Sequence, residues 1–380
     1  MTAATSVPKW MAAFLAIAGG CVGAAHAADP FLVGVISPMT GPMAAVGTSQ
    51  TAAIQWWAQS VNAAGGIKGR QVQLDICDDQ GNPEIAVTCV RRQQDLGVAV
   101  ILDDSVSSTI RGIIPLLDKG PVMIVSSPII VPNPNSFVFQ TSPADLQITK
   151  ALLSYLQENK VKKLAMIGAT DTTGEANVKN AQAVFPAAGV ELSLARIDLK
   201  SNDASIQLAN VVKDNPIIYS AYSGAGAATV VKSFTNLGLT IPFVISNANL
   251  TDAFMALIKN DMPPRLLGLG LNMLVPELVK NPKEQERIDS FKKSFEAWKG
   301  QKASLLTLLG LTLADSAEAV LKNVDDEKSP AAVRAFLENN VVESVAAIRF
   351  STESHIGMGP DSVSVMEYKG GHWTKADPLN

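Results

Sequence analysis

The chain lacks any apolar run long enough to cross a bilayer. Trp10–Ala18, its most concentrated apolar stretch, falls far short of the ~20 residues that a spanning helix needs. Stable membrane insertion is therefore not expected. Cysteine and histidine are scarce, 3 of each in 380 residues, and they show none of the spacing of a metal centre. There is no G-x-S-x-G nucleophile elbow and no G-x-x-x-x-G-K-[ST] phosphate loop, so neither acyl transfer nor nucleotide hydrolysis has an anchor. Basic tracts are missing too: 31 Lys and Arg against 35 Asp and Glu give −4, which argues against a nucleic-acid partner. The segment Gly224-Ala-Gly226-Ala-Ala-Thr229 lacks the third glycine of a dinucleotide fingerprint and has no acid about 20 residues on to hold a ribose. It reads as a tight strand-to-helix turn whose backbone N–H groups face a ligand. No catalytic, metal or cofactor site is expected.

What is present begins with an export signal. Lys9 precedes Trp10–Ala18, and the small residues that follow end in Ala25-His26-Ala27, an A-x-A cleavage site. Residues 1–27 are thus predicted to be a secretory leader, and the mature chain to be periplasmic. Ala18-Gly19-Gly20-Cys21 supports a competing reading, a weak lipid-attachment box in which Cys21 is acylated. Beyond the leader only Cys77 and Cys89 remain. An exported pair this close predicts a disulfide tying a strand end to the next helix, worth about 3 kcal/mol in the chain-entropy model. The alternative is two buried thiols packing as small apolar groups.

About 350 residues suit two domains better than one core. Short β-rich runs alternate with helical stretches, the α/β signature. The first series has strands at Phe31–Ile36, Val72–Cys77, Val98–Leu102 and Val122–Val125. The second has strands at Leu164–Ile167, Leu192–Ile197, Ile217–Tyr222, Phe243–Ile245 and Leu266–Leu271. Late helices near 284–298 and 305–322 follow, and a last strand, Val363–Tyr368, closes on Gly370-Gly371. Asn82-Pro83, Ser142-Pro143 and Ser329-Pro330 each pair a capping side chain with a proline suited to the first helical position. Trp56 and Trp57 point about 100° apart on one helix, which predicts one core ring and one surface ring.

Hydroxyls gather at strand C-termini: Ser105, Ser107 and Ser108 after one strand, Ser126 and Ser127 after the next. Ligands of open α/β sheets bind at such ends, and hydroxyls with free helix-terminal amides hold a carboxylate without a counter-charge. Helix capping is the competing role for each serine.

Five segments carry a resemblance: Gly34-Val-Ile-Ser-Pro-Met-Thr-Gly-Pro42, Asn62-Ala-Ala-Gly-Gly-Ile-Lys-Gly-Arg70, Asp78-Asp79, Phe139-Gln-Thr-Ser-Pro143 and Leu237-Gly-Leu-Thr-Ile-Pro242. In their order and spacing the chain resembles the periplasmic binding proteins of the leucine/isoleucine/valine type that serve ATP-driven importers. The resemblance implies a type I binding fold of two Rossmann-like lobes with mostly parallel sheets and three crossovers, near Thr141, Val275 and Phe350. Lobe one would hold residues 28–141 and 276–350, and lobe two residues 142–275 and 351–380. It implies a small carboxylate or amino-acid ligand on Ser105, Ser107, Ser108, Ser126 and Ser127, closed over by Tyr222, with an importer permease as partner. Val46 stands where relatives place a larger side chain facing the ligand; packing against its own helix is the alternative.

Two departures touch the ligand. The family's aspartate-Tyr-Gly pattern is here Asp171-Thr172-Thr173-Gly174, with Thr173 at the ligand, and its acidic residue becomes Asn247-Ala248-Asn249. A buried ammonium without a carboxylate keeps much of its desolvation cost. The expected ligand is therefore an organic acid without an α-amino group, unless Asp252 supplies the charge. A ligand sensor or regulator of the same fold is the rival function.

Overall fold

The computed structural model describes residues 1–2, 28–41, 43–170, 172–198 and 200–379, without the side chains of Thr172 and Thr173. Residues 3–27, which hold the apolar run, the cleavage site and Cys21, lie outside the described residues, so the leader and its lipid-anchored alternative do too.

The first series runs β1 (Phe31–Ser37), α1 (Ala44–Ala63), β2 (Val72–Asp78), α2 (Pro83–Leu96), β3 (Val100–Asp103), α3 (Ser107–Ile113), β4 (Val122–Val125) and β5 (Val138–Gln140). Its strands form one parallel sheet in the order β2-β1-β3-β4-β5. All four residues of β3 and of β4 are buried, as parallel strands covered on both faces must be. The second series runs α4 (Asp145–Glu158), β6 (Lys163–Ala169), α5 (Thr172–Ala187), β7 (Glu191–Ile197), α6 (Ser205–Val211), β8 (Ile218–Ala221), α7 (Gly224–Asn236), β9 (Phe243–Ile245), α8 (Asp252–Leu257) and β10 (Leu266–Leu271). Three helices follow, α9 (Pro282–Lys299), α10 (Leu305–Asn323) and α11 (Pro330–Asn339), then β11 (Val341–Val342), β12 (Ile348–Arg349), β13 (Val363–Lys369) and β14 (His372–Lys375). The second sheet is ordered β14-β13-β10-β9-β8-β6-β7, with β13 antiparallel to both β10 and β14. Gly370 and Gly371, at φ 59° and 84°, make the β13–β14 turn that L side chains disfavour.

The chain passes from the first sheet to the second after Gln140 and leaves the second after Leu271. It returns to the second after Arg349. Between the last two passages α10 packs on α1, β3 and β4, and α11 on β4. At the α1–α10 contact Gly310 lies so close to the Gln50 backbone that a Cβ has no room. This returning layer explains why both tryptophans are buried, against the expectation of one surface ring. Trp56 meets Phe291 of α9 edge-on at 4.9 Å, and Trp57 donates its Nε1–H to Glu318 of α10 at 2.6 Å.

Cys77 and Cys89 are bonded, joining β2 to α2. Asn82 and Ser329 cap their helices as predicted. Ser142 does not: α4 begins only at Asp145, because Ala144 is still extended and the Ser142 carbonyl is taken by the Gln140 side chain.

Candidate functional site

In each sheet the strand order reverses direction beside the first strand, between β1 and β3 and between β6 and β8. C-terminal ends at such points are where open α/β sheets bind ligands. On the first sheet the hydroxyls found there are not equivalent. Ser105 donates to Asp79 at 2.6 Å, and Ser126 donates to Gln50 Oε1 at 2.8 Å. Each hydroxyl hydrogen is used inside the protein, so each offers a ligand only lone pairs. Ser107 and Ser127 stand 2.8 Å apart and share one hydrogen, which leaves the other for a ligand. Ser108 is exposed on the first turn of α3, and Val46 is half-buried on the first turn of α1.

Beneath these serines lies a layer of buried carboxylates that sequence reasoning passed over. Asp79, Asp103 and Asp104 are all buried. Asp103 accepts the Ser105 N–H at 2.8 Å and Asp104 the Thr51 hydroxyl at 3.4 Å. One oxygen of each, Asp103 Oδ2 and Asp104 Oδ1, has no partner. Burial, aided by the nearby Asp79 charge, pushes Asp103 up to about 7. Burial also holds Asp104 well above the ordinary carboxylate range and raises Asp79. The available signal was the pair of acids directly at the end of a buried strand, an unusual place for charge.

On the second sheet Asn249 is almost fully buried. It donates to the Tyr222 carbonyl at 2.8 Å and accepts the Gly224 N–H at 2.9 Å, locking the loops after β8 and β9 together. The Gly224 amide, expected to face a ligand, is thereby occupied. The Tyr222 ring is buried in the apolar packing of this sheet and lies against Gly226, where a side chain would collide with it. Thr173 is in the first turn of α5, its side chain outside the described residues. Asp252 is exposed at the start of α8.

Ser126 and Asn247 come together in a narrow pocket between the two sheets. Its walls are largely apolar, with Ile148, Leu269, Leu271, Leu305 and Leu309 among them. The buried Ser142, whose Oγ has no hydrogen-bond partner, also lines it. Sequence reasoning missed Ser142 because Ser-Pro reads as a cap, and missed Leu305 and Leu309 because they arrive on the returning α10. Among the described residues no cluster of His, Cys, Asp and Glu could hold a metal ion, and no helix is long and apolar enough to cross a membrane.

Two mostly parallel sheets, joined by three chain passages, with a pocket between them lined from both, define a two-lobed α/β binding fold. The chain belongs to the periplasmic binding protein family, whose model matches residues 30–372. It is 21% identical to the Leu/Ile/Val-binding protein of Escherichia coli K12 over 346 residues, 87% of this chain and 90% of that one. Two other Leu/Ile/Val-binding relatives are matched over shorter stretches, covering 38% and 44% of their length. The type 1 periplasmic binding protein of Bordetella pertussis superposes with a TM-score of 0.75 at 21% identity, covering 92% of this chain and 100% of that one. A solute-binding protein of a Rhodopseudomonas palustris ABC transporter, solved with benzoate, gives 0.70 at 22% identity, covering 90% and 94%.

Proposed function

We propose that the protein is the exported, non-catalytic solute receptor of an ATP-driven importer, capturing a small carboxylate between two lobes for delivery to a membrane permease. The lobes are assigned to residues 28–141 with 276–350 and to residues 142–275 with 351–380. The observation that carries this reading is the pocket that Ser126 enters from the end of β4 and Asn247 from the loop after β9. A molecule touching both would favour approach of the lobes, a shift in population toward a closed form that a permease recognises.

The chemistry of the edge supports a carboxylate with an apolar body. The free hydrogen of the Ser107–Ser127 pair is available to donate to it, and the leucine-rich wall accepts hydrocarbon. Benzoate in the Rhodopseudomonas palustris protein is such a molecule. The lone pairs of Ser105 and Ser126 favour a second reading, an α-amino acid whose ammonium donates to them, as the names of the Leu/Ile/Val-binding relatives suggest.

Titration calorimetry with leucine and with benzoate separates the two. Ser107→Ala with Ser127→Ala, and separately Asn247→Leu, should weaken the bound class at least tenfold, about 1.4 kcal/mol. Unchanged affinity in all of these variants would remove the assignment. In a thermal-shift assay a true ligand at 100 times its Kd adds about 2.7 kcal/mol of stability.

A further inference from the structure

The loop after β4 ends in a conformation that its own sequence disfavours. Val131 has φ 46°, the left-handed region that β-branched residues avoid, and it is 58% exposed, so packing of its side chain offsets little of the strain. The contact that holds it is its N–H, which donates to Gln140 Oε1 at 3.2 Å. The residues before it are tied down as well. Ser127 shares a hydrogen with Ser107 at 2.8 Å, the Pro128 carbonyl accepts the Asp145 N–H of α4 at 3.1 Å, and the Ile129 carbonyl accepts Arg111 of α3 at 3.1 Å. Ile130 is buried in the core of the first sheet. Residues 127–131 thus form a strap from the serine edge to Gln140.

Gln140 is fully buried at the first chain passage, and both its amide and its backbone are engaged. Its Nε2 donates to the Ser142 carbonyl at 3.0 Å; its own N–H donates to the His355 carbonyl, and its carbonyl accepts the Gly357 N–H, both at 2.8 Å. His355 and Gly357 lie in the third passage, between β12 and β13. One residue therefore joins the strap to the first and third passages. An N–H at Val131 and a carbonyl at Ser142 are opposite demands, which a neutral amide meets together. Pro128 and Ser142 line the inter-sheet pocket, whereas Gln140 is not among its lining residues.

We propose that Gln140 is a positioning residue for the ligand edge: it holds the strap, and with it Ser127, at a place set by the first and third passages, an inference that rests on the ligand role proposed for Ser127. Movement of the lobes about those passages is then transmitted to the Ser107–Ser127 pair, so ligand affinity and lobe arrangement are linked reciprocally. Without the Gln140 acceptor, Val131 relaxes out of the left-handed region and carries Ser127 away from Ser107. Glycine at position 131 has no such tendency, because it occupies a positive φ without steric cost.

The test is a double-mutant cycle of Gln140→Met, which keeps the length but removes the amide, and Val131→Gly. In urea denaturation of the ligand-free protein the two should be non-additive, Gln140→Met costing less in the Val131→Gly background than in the native one. In titration calorimetry with benzoate and with leucine, Gln140→Met should weaken whichever binds roughly tenfold, and Gln140→Met/Val131→Gly should restore affinity to within roughly threefold of the native protein. A residue that serves the fold alone would show no such rescue of affinity. Circular dichroism checks that the variants fold. Hydrogen exchange of the 127–135 segment needs no variant, and should slow when the probe binds the native protein. Additive costs in denaturation, native affinity in Gln140→Met, no rescue by Val131→Gly, or exchange unmoved by the bound probe would each overturn the proposal, and the ligand assignment would stand if Ser107→Ala with Ser127→Ala still weakens binding. If neither probe binds the native protein, the ligand assignment and the role given to Gln140 fall together.

Discussion

Replacing Asp103 with asparagine should flatten the pH dependence of stability. The native carboxyl sits at about 7, against an ordinary value of 3.8, because burial penalises its charge. Between those values the native state holds a proton that the unfolded chain has released. The stability that this carboxyl contributes is therefore greatest on the acid side and declines as pH rises toward 7. From pH 5 to pH 8 the unfolded carboxyl stays ionised while the native one must ionise in place, a loss of about 2.5 kcal/mol at 1.36 kcal/mol per unit. Asp79 and Asp104, also raised by burial, act in the same direction. In Asp103→Asn the side-chain oxygen still accepts the Ser105 N–H, but no charge can form. Urea denaturation of both proteins across pH 5–8 should show a decline shallower by about 2.5 kcal/mol in the variant. Parallel curves would refute the reasoning, since they would mean that Asp103 does not hold its proton in the fold.

Three further outcomes follow from packing. Cys77→Ser with Cys89→Ser should lower stability by about 3 kcal/mol, and a reductant should lower the Tm of the native protein but not of the variant. Gly226→Ala forces a methyl into the Tyr222 ring and should cost roughly 1–3 kcal/mol in chemical denaturation, with Gly226→Ala/Tyr222→Leu recovering part of the loss. Trp57→Phe keeps the apolar bulk but strips Glu318 of its indole donor, a loss of about 1–3 kcal/mol; an unchanged denaturation midpoint would show the bond to be dispensable.

The alternation of strand and helix was legible in the sequence, because apolar runs and turn residues act over a few positions. Strands β4, β9 and β10 lie where the sequence places them, and Asn82 and Ser329 cap their helices through bonds two or three residues away. The disulfide was legible as well, its partners being only 12 residues apart. Strand β5 was not, since three residues carry no readable period.

The character of the site was decided elsewhere. Whether a serine donates or accepts depends on which acceptor takes its hydrogen, and for Ser126 that acceptor is 76 residues away on α1. Trp57 is interior because Glu318 and its helix return 261 residues later to cover it. Local sequence therefore determined which elements form and which hydroxyls stand at strand ends. Only the tertiary structure decided their hydrogen-bond polarity, the burial of Asp103 and Asp104, and the pocket that Ser126, Ser142 and Asn247 share. Hydrogen-bond capacity and desolvation are set by neighbours in space, and distant segments supply most of those neighbours.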